Sequence, residues 1–191
     1  MAYVLPGESS TARAPWLVGA VLLAGAAVAV FLGVYADLHT PTGEATPHLW
    51  FPTMLSFKAW LTTLAVAFGV FQLLSSLRLR DRLRWPRTIP TWLPDAHRLS
   101  GSLVLLCSLP VAYHCLWSLG FAFDASPFSN GRVLLHAVAG CVFYGAIVTK
   151  TLTVEIEAVP RWLIPWAGGV VFASLTVVWL TSSLYYFTGR L

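Results

Sequence analysis

The chain has 191 residues, of which 12 are Lys or Arg and 8 are Asp or Glu. A typical soluble domain is about a quarter charged; here the share is 10%, with 57% hydrophobic residues and a mean hydropathy of +0.72. These values exclude a disordered tail, a disulfide scaffold and an ordinary soluble enzyme.

The charges are also unevenly placed. Five windows contain none: Ala14–Ala36, Ala59–Leu77, Leu99–Phe123, Val133–Thr149 and Trp162–Gly189, of 23, 19, 25, 17 and 28 residues. A membrane helix needs roughly 20 apolar residues, within about 17 to 25. The expected fold is therefore an all-α integral membrane bundle of five transmembrane helices, one domain over residues 1–191, in contact with a lipid bilayer. Nucleic-acid binding is not expected, because most of the surface faces hydrocarbon.

Helix 1 is expected at about 16–35. The segment before it is a poor signal peptide, carrying Arg13 and Glu8 ahead of too long an apolar run. Cleavage after Val34-Tyr35-Ala36 would leave a four-helix core over 54–187. Helix 2 follows at about 54–77, after a loop with Asp37, Glu44 and no basic residue. The next loop carries Arg78, Arg80, Arg82, Arg84, Arg87 and Arg98. Pro86, Pro90 and Pro94 prevent one continuous helix there, and an interfacial segment against anionic lipid is its expected form. Helix 3 is expected at about 97–120, helix 4 at 132–152 and helix 5 at 163–187. Basic residues collect on the cytoplasmic side. With the arginine loop inside, the N-terminus is cytoplasmic and the C-terminus extracytoplasmic; nine Lys/Arg fall inside and three outside. Trp16, Trp50, Trp85, Trp92, Trp117, Trp162 and Trp166 sit near helix ends, as in an aromatic belt. Cys107, Cys115 and Cys141 lie in apolar runs and read as small buried hydrophobes.

The histidines carry the chemistry. His114 lies six residues before the end of helix 3, and His136 four residues after the start of helix 4, about 9 and 6 Å below the outer boundary at 1.5 Å per residue. Helices joined by a short loop are usually antiparallel neighbours. Two neutral imidazoles at one level can ligate a haem iron from both sides. Gly140, four residues after His136, leaves room for a flat ring, and Pro110 is expected to bend helix 3. Arg132 and Lys58 lie at similar depth and are candidates to pair with propionates. The competing readings of the pair are interhelical polar glue and a proton relay or another metal; zinc lacks further ligands at that depth.

His97 opens helix 3 at the inner end, about 25 Å from His114. It reads as an interfacial residue held by Asp95 or a lipid phosphate, or as a quinone or propionate contact. Lys150 stands where an inner haem's second ligand would fall. His39 and His48, beside Pro41 and Pro47, read as solvated loop residues.

The His-Arg-x-x-Gly at 97–101, His114 and the His-x-x-x-Gly at 136–140 resemble the cytochrome b561 and ferric-reductase-like groups. They are also similar to an uncharacterised family of small five-helix bacterial membrane proteins. The resemblance spans about residues 54–187. It implies b haem held by His114 and His136, and stacked haems with electron transfer across the bilayer; the fourth histidine is missing here, with Lys150 near its place. The functional expectation is a haem b electron-transfer protein, an oxidoreductase subunit of a bacterial plasma membrane. It would link the quinone pool to an extracytoplasmic redox protein or a larger membrane complex. A cofactor-free helical anchor or scaffold subunit is the alternative.

Overall fold

A computed structural model describes residues 15–44, 48–120 and 131–189. Glu8, Arg13 and Pro47, named above, lie outside them. Every regular element among the described residues is helical: α1 (Pro15–Leu38), α2 (Met54–Leu79), α3 (Leu93–Tyr113), α4 (Gly131–Glu155), α5 (Leu163–Thr181) and the short α6 (Ser183–Phe187). Five helices are long and apolar enough to cross a membrane. The bundle wears its apolar residues outside, and all seven tryptophans of the expected belt are exposed, from 40% at Trp117 to 93% at Trp50.

Local chemistry sets the helix ends. Thr53 and Ser56 form a capping box at the start of α2, satisfying two backbone N–H groups reciprocally. α3 starts at Leu93, four residues before the expected His97. Pro94 is the reason: in the first helical turn its missing N–H costs nothing, so the last proline of the arginine loop opens the helix. Between α2 and α3 the chain is irregular, and buried Arg78 organises it. Its guanidinium donates to Pro86 O at 2.9 Å, Arg87 O at 3.2 Å and Asp81 Oδ1 at 2.9 Å.

One turn past Pro110, α3 widens into a π turn, His114–Leu119. Two of its terminal carbonyls are met from outside: Thr42 N–H donates to Trp117 O at 3.2 Å and Gly43 N–H to Ser118 O at 3.1 Å. Gly120 ends the turn at φ 61, where a Cβ would come within 2.6 Å of Pro41 Cγ. The expected continuous helix 5 is broken at Ser182. Thr181 Oγ1 donates to Val177 O and Ser182 Oγ to Val178 O, each at 2.7 Å. Hydroxyls bonded back to the preceding turn bend helices, and two in a row end this one.

The closely packed pairs are α1 with α4, α4 with α5, α2 with α3, and α2 with α5 and α6. Consecutive α3 and α4, expected as neighbours, are not such a pair. They meet through long side chains in the middle of the bundle, where Ala65, Val104, Phe143 and Leu175 form the core, one from each of α2 to α5. α1 closes on α4 at Gly25 and Gly145, whose backbones meet so tightly that a Cβ on Gly145 would lie 2.5 Å from Gly25 O.

Candidate functional site

The separation of α3 from α4 opens a cavity of about 280 Å³ at the end of the bundle opposite the arginine loop. Ala65, Phe143 and Leu175 of the core line its base. Tyr144 spans the gap there, its hydroxyl donating to Ser108 Oγ at 3.0 Å. The walls are mostly apolar. Lys58, Arg132, His136, Ser183 and Tyr186 bring polar atoms to it, and Gly140 is on the wall. A mostly apolar pocket with a few convergent polar groups is the usual form of a small-molecule or cofactor site.

His136 is fixed by α5. Its Nδ1 lies 3.0 Å from Thr181 Oγ1. The single proton of that hydroxyl is already given to the Val177 carbonyl, so Thr181 accepts and Nδ1 carries the hydrogen. Nε2 therefore keeps its lone pair. Histidines that ligate metals are held in this way, the other ring N–H given to a neighbouring acceptor. Gly140 stands one turn below, and a Cβ added there would meet nothing within 4 Å. Space for a flat group is thus present beside the imidazole.

The two cations differ. Arg132 Nη1 donates to Thr181 O at 2.6 Å, and its guanidinium carbon lies 4.6 Å from the centre of the Tyr185 ring. It is thereby tied to the C-terminal carbonyl of α5, where the helix dipole favours a positive charge. Among the described residues, the Lys58 ammonium reaches only the Cys115 thiol, at 3.9 Å. Neither has a carboxylate within ion-pair distance among the described residues.

His114 is placed differently from its expected partner. It begins the π turn, is 7% exposed, and is not on the cavity wall. Consecutive helical residues point about 100° apart, so with Val111, Ala112 and Cys115 on the wall, His114 falls to one side. Its Nδ1 and Ser118 Oγ are buried with no hydrogen-bond partner among the described residues. The structure thus brings His136, Lys58, Arg132 and Gly140 to one cavity and leaves His114 off it.

His97 belongs to a separate cluster at the arginine end. Ser75 Oγ gives its proton to Phe71 O at 2.6 Å and accepts from His97 Nδ1 at 2.7 Å. Gln72 Nε2 donates to the His97 carbonyl and to Ser100 Oγ, while Gln72 Oε1 accepts from Lys150 Nζ at 3.2 Å. Lys150 is therefore committed to an amide. In the loop after α1, His39 stacks on Trp117 with ring centres 4.5 Å apart, and its Nε2 lies 3.1 Å from Trp117 O. His48 Nδ1 lies 2.5 Å from Phe51 O.

Sequence reasoning confined the site to helices 2 to 4 and so missed Thr181, Ser183 and Tyr186. The hydroxyl run Thr181-Ser182-Ser183 inside an apolar window was the available signal. Gln72, the chain's sole glutamine, was another. Cys115, read as a small hydrophobe, lines the cavity.

The match to a family model decides what the chain is akin to: residues 17–190 match the Family of unknown function (DUF6529). The chain belongs to that family. No curated protein and no solved structure matches it. Among the described residues no group of three or more His, Cys, Asp or Glu is arranged to hold a metal ion, so metal chemistry here would rest on histidines acting singly or in pairs.

Proposed function

We propose that this chain is a haem b-binding electron-transfer protein, with one haem in the cavity between α3 and α4. The observation that carries the reading is His136, which lines an apolar cavity while Thr181 holds its Nδ1 proton. The α4 side suits a haem: a lone-pair nitrogen is at the wall, and the open Gly140 offers room for a flat ring. On the α3 side, His114 lies beside the wall rather than on it and would have to turn toward the cavity to act as the second ligand. No hydrogen bond among the described residues holds its Nδ1 where it is.

Held by His136 and His114, a b haem would supply one-electron exchange. The protein's own contribution is orientation and charge. Arg132 and His136 both lean on Thr181, so the end of α5 sets the imidazole. Lys58 supplies positive charge for a propionate at the rim, and the apolar walls keep water from the ring.

In the orientation that the arginine loop favours, this loop is cytoplasmic and the cavity opens toward the extracytoplasmic side of a bacterial plasma membrane. Electrons would pass between the quinone pool and an extracytoplasmic redox protein or a larger complex. The pattern of His97, His114 and His136, which resembles that of cytochrome b561 and ferric-reductase-like proteins, supports this reading.

A second reading has its own observation. Thr181 satisfies both Arg132 and His136, which is also how polar side chains join membrane helices. That reading makes the chain a cofactor-free anchor or scaffold subunit. His136→Ala and His114→Ala separate the two. The haem reading expects both variants to insert and to lose the low-spin reduced-minus-oxidised spectrum. An unchanged spectrum in either variant removes that histidine from the iron.

A further inference from the structure

The polar cluster at the arginine end has an unbalanced charge. Lys150 on α4 sits about 8 Å from the end of its helix, at 1.5 Å per residue, which is headgroup depth. Arg80 is the C-terminal cap of α2, the helix that carries Gln72 and Ser75, at the same end of the bundle. Among the described residues the ion pairs are Arg78–Asp81 and Arg98–Asp95, and neither includes Lys150 or Arg80. Two cations and an imidazole from three helices therefore share this end of the bundle, and among the described residues neither cation is in ion-pair contact with a carboxylate.

The lysine is not simply reaching for water. Snorkelling would carry its ammonium outward along the helix. Instead Nζ is drawn sideways to Gln72 Oε1 at 3.2 Å. Gln72 cannot turn its amide round, because Nε2 is spent on the His97 carbonyl and on Ser100 Oγ. Gly101 packs against it, a Cβ there lying only 3.2 Å from Nε2. The ammonium has three N–H donors and gives one to this amide. Its remaining donors, with the Arg80 charge, are left for an anion at the membrane surface. Basic pockets between transmembrane helices take lipid phosphates.

We propose that Lys150 and Arg80, positioned by Gln72, bind a phosphate oxyanion at the arginine end of the α2–α3–α4 interface, either the phosphodiester of an anionic lipid or free phosphate. The site is independent of the haem reading and is tested on colourless protein as well as on coloured. The full chain is purified in a neutral detergent and offered phosphatidylglycerol, phosphatidylcholine or inorganic phosphate, with retained lipid counted by native mass spectrometry and thermal unfolding followed in parallel. Wild type is expected to retain phosphatidylglycerol and unfold at higher temperature with it, and not with phosphatidylcholine. Lys150→Gln, which keeps a donor for Gln72, is expected to retain about fivefold less, while Lys150→Arg retains it. Arg80→Gln, at an exposed position outside the packing, gives a second loss. An equal rise with inorganic phosphate that Lys150→Gln abolishes identifies free phosphate as the ligand. Equal retention by wild type, Lys150→Gln and Arg80→Gln overturns the proposal.

Discussion

Thr181 does three things with one hydroxyl and one carbonyl. It breaks α5, fixes the tautomer of His136 and holds Arg132. Thr181→Val keeps the shape and removes the acceptor for Nδ1–H. Outer-shell changes of this type weaken metal binding by roughly 10- to 100-fold. Thr181→Val is expected to lower the haem-to-protein ratio on titration with haem, and Thr181→Ser to restore it. Gly140 offers a complementary test of space. Since an added Cβ meets nothing, Gly140→Ala is expected to stabilise the helix by about 0.5–1 kcal/mol. Gly140→Phe fills the cavity instead, so the protein is expected to stay folded, by thermal unfolding in detergent, and to lose the cofactor. A stable Gly140→Phe variant with a full complement of haem would place the ring elsewhere.

At the level of elements, close packing without large side chains joins α1 to α4. A Cβ on Gly25 would run into Thr149 Oγ1 and come within 2.5 Å of Gly145 O, both on the facing helix. Backbone cannot yield as a flexible side chain does, and overpacking of a tight site costs about 1–3 kcal/mol. Gly25→Val is thus expected to lower the unfolding temperature clearly, while Gly19→Val, where a Cβ meets nothing, leaves it near wild type. The loop between α2 and α3 depends on Arg78 in the same local way. Arg78→Gln removes the fork that holds the Pro86 and Arg87 carbonyls. Faster tryptic cleavage at Arg82, Arg84 and Arg87 is the expected result, measured by timed digestion of the folded protein.

For the whole molecule, charge scarcity already contained the architecture. The charge-free windows lie on the five membrane-length helices, because in hydrocarbon a helix alone satisfies its backbone. The tryptophan positions were equally legible, since they depend only on depth. What the sequence did not carry was lateral: which helices touch. Short loops implied α3 beside α4, yet packing at Gly25 and Gly145 draws α4 to α1, and the cavity occupies the space between α3 and α4. The π turn and the Ser182 break were hidden too, as they arise from hydroxyl and backbone competition rather than from apolar periodicity. Which way His114 faces was hidden as well. Orientation remains a matter of the arginine loop, and an alkaline phosphatase fusion after residue 189 is expected to be active, with one in the loop at 82–88 inactive. The cofactor itself is checked by the visible spectrum of wild-type protein purified in detergent. A Soret band and a dithionite-reduced α band are expected, with about one haem per chain; a colourless preparation that takes up no added haem rules the cofactor out.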